Sequence, residues 1–217
     1  FDVTVAPLLE LYASHFEASN RPPPDHEVER ILESVDYRKV QVDEDAIVLE
    51  GSEMKVTLDG IAKGYIVDQT VRALVDDGAE RILINAGGDM ASGGDGSLED
   101  PWTVGVRDPA EPQGLLANVR LGGECIATSG DYMQAFTHDR RFHHIIDPRT
   151  GYSPSQASAV TVVTTSAMEA DALSTGIMVL GPVEGFQLMK RLEDTEGMIV
   201  TKGGESMTTP GLDNLAV

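Results

Sequence analysis

Cysteine is almost missing from this chain: Cys125 is the only one in 217 residues. An internal disulfide is therefore excluded, and the fold has to rest on its hydrophobic core. Cys125 lies between Glu124 and Ile126 in an expected strand, which reads as a buried structural thiol rather than a reactive one. Basic residues are also scarce, 16 against 36 acidic ones, and the formal charge of -20 is spread along the whole chain. Such a field repels nucleic acid and anionic membranes and argues against both as partners. Any anionic ligand would need a local positive charge, a metal ion or backbone N–H groups, which gives Lys63 and Arg149 unusual weight. No apolar run approaches the roughly 18 residues needed to cross a bilayer. The opening "FDVTVAPLLELY" has no basic stretch followed by an apolar core, so no secretion signal is expected in it. It also lacks an initial Met, and the expectation is that the sequence begins inside a longer gene product.

What is present is ordinary for a folded protein: 41% hydrophobic residues and 22 Gly, over a length that suits one domain or two small interleaved subdomains. "TVAPLLELYASHFE" sets Leu8, Leu9, Tyr12 and Phe16 at helical spacing. "DHEVERILESV" predicts a second helix with Asp25 as N-cap. "KVQVD", "AIVLE" and "MKVTL" read as strands, and "GIAKGYIVDQTVRALVDDG" as a helix ending at Gly78. "RILINAGGD" reads as a buried strand leading to a glycine turn and then a flexible stretch, "MASGGDGSLEDP". Strands follow in "WTVGVRD", "ANVRL", "CIATS", "MQAFT", "FHHIID" and "SAVTVVTT". Ser166 and Glu169 form a capping box before the helix "SAMEADALSTGIMVLG"; "VEGFQLMKRLE" is a further helix and "GMIVTK" a closing strand. Strands and helices do not alternate one for one, so the expected class is α+β with mixed or antiparallel sheets and packed helices.

Several groups of residues carry chemistry. Asp171 and Thr175 stand four apart on a helix, so both oxygens can face one point and offer hard ligands to Mg²⁺. Lys63 lies in the first turn of a helix, where free N–H groups favour an anion, although the spacing is not that of a Walker loop. "ATSGDY" gathers Thr128, Ser129, Asp131 and Tyr132 at a strand end. His143 and His144 would point to opposite faces of a strand, one into the core and one available for function. "HHIIDPRTGY" is either a tightly folded loop or the wall of a site for a phosphorylated ligand.

Taken in order, "FDVTVAPLLELY", "LDGIAKGYIVD", "INAGGDM", "IATSGDY", "HHIIDPRTGY" and "EADALSTGIMVLG" resemble the landmarks of the FAD:protein FMN transferase family, also called ApbE-like or thiamine-biosynthesis-lipoprotein-like. The resemblance covers nearly the whole chain. It implies a T-fold-like, two-subdomain architecture, with residues 1–217 as a single flavin transferase domain that is N-terminally truncated relative to the family.

It also implies Mg²⁺-dependent transfer of FMN from FAD to a Thr or Ser hydroxyl of an acceptor protein, with release of AMP. The alternatives are an FAD pyrophosphatase giving FMN and AMP, or a non-catalytic flavin-binding module. Asp171 and Thr175, joined by the main-chain carbonyl of Gly60, match the metal ligands. Phe1, Asp2, Thr57, Lys63, Asp89, Thr128, Ser129 and Gly130 match positions near FAD, and His144 matches a candidate general base. The resemblance implies a periplasmic or extracytoplasmic location, with or without a membrane anchor in a missing N-terminus. One departure stands out: where the family usually has Asp-Leu-Gly, this chain has Thr57-Leu58-Asp59.

Overall fold

The structure is a computed structural model describing residues 1–111 and 113–215. The chain forms two compact units interleaved in sequence: Phe1–Leu58 with Gln134–Pro154, and Asp59–Met133 with the chain from Ser155 onward.

In the first unit, α1 (Ala6–Ser19) starts with Pro7 in its first turn and stops at Asn20, which takes up a left-handed conformation at φ 53°. α2 (Asp25–Leu32) follows. Its N-cap is Pro24, one residue earlier than expected; the Asp25 carboxylate instead accepts from the Tyr152 hydroxyl at 2.7 Å. Leu8 and Tyr12 of α1 and Val28 and Ile31 of α2 close a core with Ile146, Phe136 and Phe142. Phe16 stacks on Phe136 at 5.2 Å.

β1 (Val40–Val42) and β2 (Ile47–Leu49) pair as an isolated antiparallel hairpin. Three expected strands do not form: "MKVTL", "MQAFT" and "FHHIID" are irregular, apart from a single bridge between Ala135 and His143. The apolar residues of the last two segments pack into the helical core from irregular backbone, so their hydrophobicity serves the core and not a sheet.

The second unit contains α3 (Ala62–Asp76), β3 (Ile82–Ala86), β4 (Asp89–Gly93), α4 (Asp95–Glu99), β5 (Trp102–Arg107), β6 (Leu115–Leu121) and β7 (Cys125–Gly130). It continues with β8 (Ala157–Thr164), α5 (Ala167–Leu180), α6 (Pro182–Met189), β9 (Glu196–Thr201), β10 (Ser206–Thr208) and α7 (Pro210–Leu215). Six strands form one sheet in the order β10-β9-β8-β7-β4-β3, antiparallel at every step. β5 and β6 form a separate hairpin.

Side chains alternate across the sheet with period two, and this decides what meets what. Ile126, Ala159 and Val163 join Val104, Val106, Val119 and Leu121 of the hairpin in one core. Ala91 and Cys125, of the opposite parity, pack with Val67 of α3 and Ala167 of α5. "MASGGDGSLEDP", expected to be flexible, forms β4 and α4 instead. Its glycines serve close packing: a Cβ on Gly93 would lie 2.4 Å from Val71 Cγ1, and Gly94 turns the chain at φ 81°.

Candidate functional site

The parity that places Ala91 and Cys125 against the helices also places Asp89 of β4 and Ser129 of β7 on that face. Asp171 of α5 is buried, and so is Asp89. Both carboxylates meet the ammonium of Lys63 from the first turn of α3: Lys63 Nζ donates to Asp89 and, at 3.4 Å, to Asp171 Oδ1. The other oxygen of Asp171 accepts from the backbone N–H of Gly64 at 3.1 Å.

Burial is the main force raising the Asp89 carboxyl above the usual carboxylate range. The Lys63 hydrogen bond works against it, and the neighbouring Asp171 charge adds to it. Burial opposes the Lys63 ammonium, but its hydrogen bond to Asp89 and the two carboxylate charges carry its pKa above the ordinary lysine value.

Ser166 caps α5 by accepting from Glu169 N–H, as the capping box predicts. One turn beyond Asp171, Ser129 Oγ lies 2.8 Å from Ser174 Oγ and 2.9 Å from Thr175 Oγ1. Thr128 and Gly130 lie in strand β7. Thr128 points to the opposite sheet face, where its hydroxyl meets that of Thr161 at 2.9 Å, and Gly130 lies against the ring of Tyr132. Asp131 pairs with Lys202. Gly60 is buried in the turn that leads into α3.

The first unit carries Phe1, Asp2, Thr57 and His144. The Asp2 carboxylate accepts from Thr4 N–H at 2.8 Å, the Thr4 hydroxyl at 2.6 Å and Tyr37 N–H at 3.2 Å, and so ties down a turn. Thr57 N–H donates to the Val3 carbonyl at 2.7 Å, and Phe1 is exposed. Of the two histidines, His143 is fully buried, with Nε2 3.1 Å from the Pro154 carbonyl, while His144 is half-buried.

"HHIIDPRTGY" closes on itself. Asp147 accepts from Arg149 N–H and Nε, each at 2.9 Å, and from Nη2 at 2.8 Å; its carbonyl accepts from Gly151 N–H at 2.8 Å. The pairing of Asp147 with Arg149 is therefore what shapes this loop.

Two residues that hold the helices together were not singled out by sequence. A Cβ on Gly64 would lie 2.2 Å from the Ala167 carbonyl oxygen, so α3 and α5 cross in near backbone contact. Asp68, one turn further along α3, accepts from the Ser166 hydroxyl at 2.8 Å, Ala167 N–H at 2.8 Å and Met168 N–H at 3.0 Å, capping α5 from outside. The available signal was an acidic residue in the middle of a helix, four residues after a glycine.

The model of the ApbE family matches residues 1–199. This chain belongs to the ApbE family. The FAD:protein FMN transferase of Klebsiella pneumoniae strain 342 is 31% identical over 207 residues, covering 93% of this chain and 63% of the relative. The protein of the same name in Escherichia coli K12 is 30% identical, covering 96% of this chain and 61% of the relative. The chain thus spans about three fifths of the length of these ApbE relatives. Among solved structures, the ApbE protein of Thermotoga maritima superposes with a TM-score of 0.90 at 31% identity, covering 100% of this chain and 72% of the other. The flavinyl transferase ApbE of Pseudomonas stutzeri gives 0.81 at 29% identity, covering 99% and 68%.

The donor chemistry of this ApbE chain suits a hard divalent cation. Asp89 and Asp171 are two buried carboxylates sharing one ammonium, which leaves an excess negative charge away from water. The resemblance adds the Thr175 hydroxyl and the Gly60 carbonyl as neutral oxygens, the kind that Mg²⁺ commonly takes beside one or two carboxylates. Among the described residues, no three His, Cys, Asp or Glu side chains converge as a ligand set. No helix among the described residues is long and apolar enough to cross a membrane.

Proposed function

We propose that this protein transfers FMN from FAD to a Ser or Thr hydroxyl of an acceptor protein, with release of AMP. The observation that carries this reading is the pair of buried carboxylates, Asp89 and Asp171, held on Lys63 beside Thr175. Membership of the ApbE family and the names of its relatives point the same way.

In this reading the acceptor oxygen bonds to the FMN phosphorus, the P–O bond to AMP breaks, and AMP leaves with the electron pair of that bond. Asp171, Thr175 and the Gly60 carbonyl would hold Mg²⁺, which when bound offsets charge developing on phosphate oxygens. Lys63 offsets one of the two carboxylates, Asp89 and Asp171, so that with Mg²⁺ bound the cluster would carry the net positive charge that an anionic substrate needs on a chain of net charge -20. His144, the less buried of the two rings, takes the hydroxyl proton. Ordering the substrate and stabilising charge account for most of the rate in such transfers.

The test is incubation with FAD, Mg²⁺ and a peptide bearing a Ser or Thr acceptor, following peptide mass and AMP together. A flavinylated peptide with matching AMP is expected, lost in Asp171→Ala and His144→Ala. AMP with free FMN and an unmodified peptide would replace transfer with hydrolysis of the FAD pyrophosphate. FAD binding without AMP would reduce the protein to a flavin-binding module.

A further inference from the structure

Beside Asp171, three hydroxyls and one carbonyl are linked in a way that allows only one direction of hydrogen bonding. Ser174 Oγ donates to the Asp171 backbone carbonyl at 3.0 Å, and a carbonyl can only accept. A serine hydroxyl has one proton, so the 2.8 Å contact between Ser129 and Ser174 is donated by Ser129. The Ser129 proton is then committed, and its 2.9 Å contact with Thr175 must be donated by Thr175. Protons therefore run from Thr175 to Ser129, to Ser174, to the Asp171 carbonyl.

We infer that Ser129 is a positioning residue: by accepting the Thr175 proton, it turns the Thr175 oxygen lone pairs away from β7 and leaves them to a divalent cation. Ser129 and Ser174 are both buried, so water has little access to substitute for either hydroxyl. Without Ser129, the usual partner of a helical threonine is the carbonyl four residues back, which for Thr175 is that of Asp171 itself. Thr175 would then have a second orientation open to it, and the cation a less ordered donor. The inference rests on the reading of Asp171 and Thr175 as metal donors, and it gives Ser129 a partner on α5 in place of a contact with FAD.

The experiment measures Mn²⁺ affinity by electron paramagnetic resonance, with no substrate present, for the wild type, Ser129→Ala, Ser174→Ala, Thr175→Val and the double variant Ser129→Ala/Thr175→Val. Thermal unfolding of each checks the fold. Removing an outer partner of a metal ligand typically weakens binding 10- to 100-fold, and Ser129→Ala is expected to weaken Mn²⁺ binding by about tenfold or more. Ser174→Ala breaks the chain one link further away and should weaken it less; it carries the test if Ser129→Ala does not fold. Because Ser129 acts through Thr175, its removal should add nothing in the Thr175→Val background. Unchanged affinity in Ser129→Ala with a loss in Thr175→Val overturns the inference and leaves the metal site standing. Independent, additive losses also overturn it. Unchanged affinity in Thr175→Val would instead remove the metal reading on which it rests.

Discussion

Gly64 of α3 and Ala167 of α5 meet backbone to backbone: a Cβ on the glycine would lie 2.2 Å from the alanine carbonyl oxygen. In an open helix, Gly→Ala stabilises by roughly 0.5–1 kcal/mol. Here the obstacle is main chain and cannot rotate away, so the sign reverses. Gly64→Ala should destabilise by about 1–3 kcal/mol, the usual range for overpacking. It should also lengthen the bond from Gly64 N–H to Asp171. Urea denaturation measures the first effect and Mn²⁺ affinity the second; a variant more stable than wild type would show that the helices do not cross this closely.

Lys63→Met tests the charge balance. It leaves Asp89 and Asp171 together without their shared ammonium. Breaking a fully buried pair costs about 3–5 kcal/mol. Lys63 is half-exposed, and the expected loss is about 1–3 kcal/mol after allowing for solvent screening. Mg²⁺ should raise the melting temperature of the variant more than that of the wild type, because the cation would replace the missing charge. Equal shifts would show that Mg²⁺ does not sense these carboxylates.

The cap supplied by Asp68 gives a graded series. Asp68→Ala strands three donors at the start of α5 and should cost about 1–2 kcal/mol, as loss of a helix cap does. Asp68→Asn keeps one acceptor oxygen and should fall between wild type and Ala. Equal stabilities across the series, measured by chemical denaturation, would mean that Ser166 alone secures this end.

Cys125 should behave as an inert thiol. Burial, followed by the nearby Asp68 charge, pushes its pKa up to about 12. A disulfide reagent at neutral pH should therefore label it only after denaturation, and rapid labelling of the native protein would contradict this. The folded thiol holds its proton more tightly than the unfolded one. Its contribution to stability is thus complete below the ordinary thiol pKa and is lost as pH rises from there to about 12. Cys125→Ala should flatten that alkaline stretch of the stability curve.

How much of this was legible depended on whether a signal was local. The capping box at Ser166 and the four-residue spacing of Asp171 and Thr175 lie within one helix, and sequence places both. The strands β5, β7 and β8 were readable for the same reason, each from its own short run. By contrast, "FHHIID" is apolar and partly β-branched, yet a strand also needs a partner over several residues, and the segment makes only the bridge of His143 to Ala135 before the Asp147–Arg149 turn follows. Glycines in "MASGGDGSLEDP" read as flexibility because sequence does not show Val71 lying against Gly93. Lys63, Asp89 and Asp171 come from three separate elements. Their meeting depends on sheet parity and on the crossing of α3 and α5, neither of which is written in any one segment.

The interleaving of the two units also sets an order in time. Lys63 precedes Asp89 by 26 residues, and both lie in elements that adjoin each other, so Asp89 has its counter-charge as soon as β4 forms. Asp171 follows Lys63 by 108 residues. At the usual rate of synthesis, about 5–20 residues per second, α5 emerges roughly 5–20 s after Lys63. In the later part of that interval, from the completion of β7 until β8 is made, β7 has no β8 to pair with, since residues 134–154 are made between them. The nascent chain thus carries a half-built charge cluster and an open strand edge together, and one late helix–strand segment closes both.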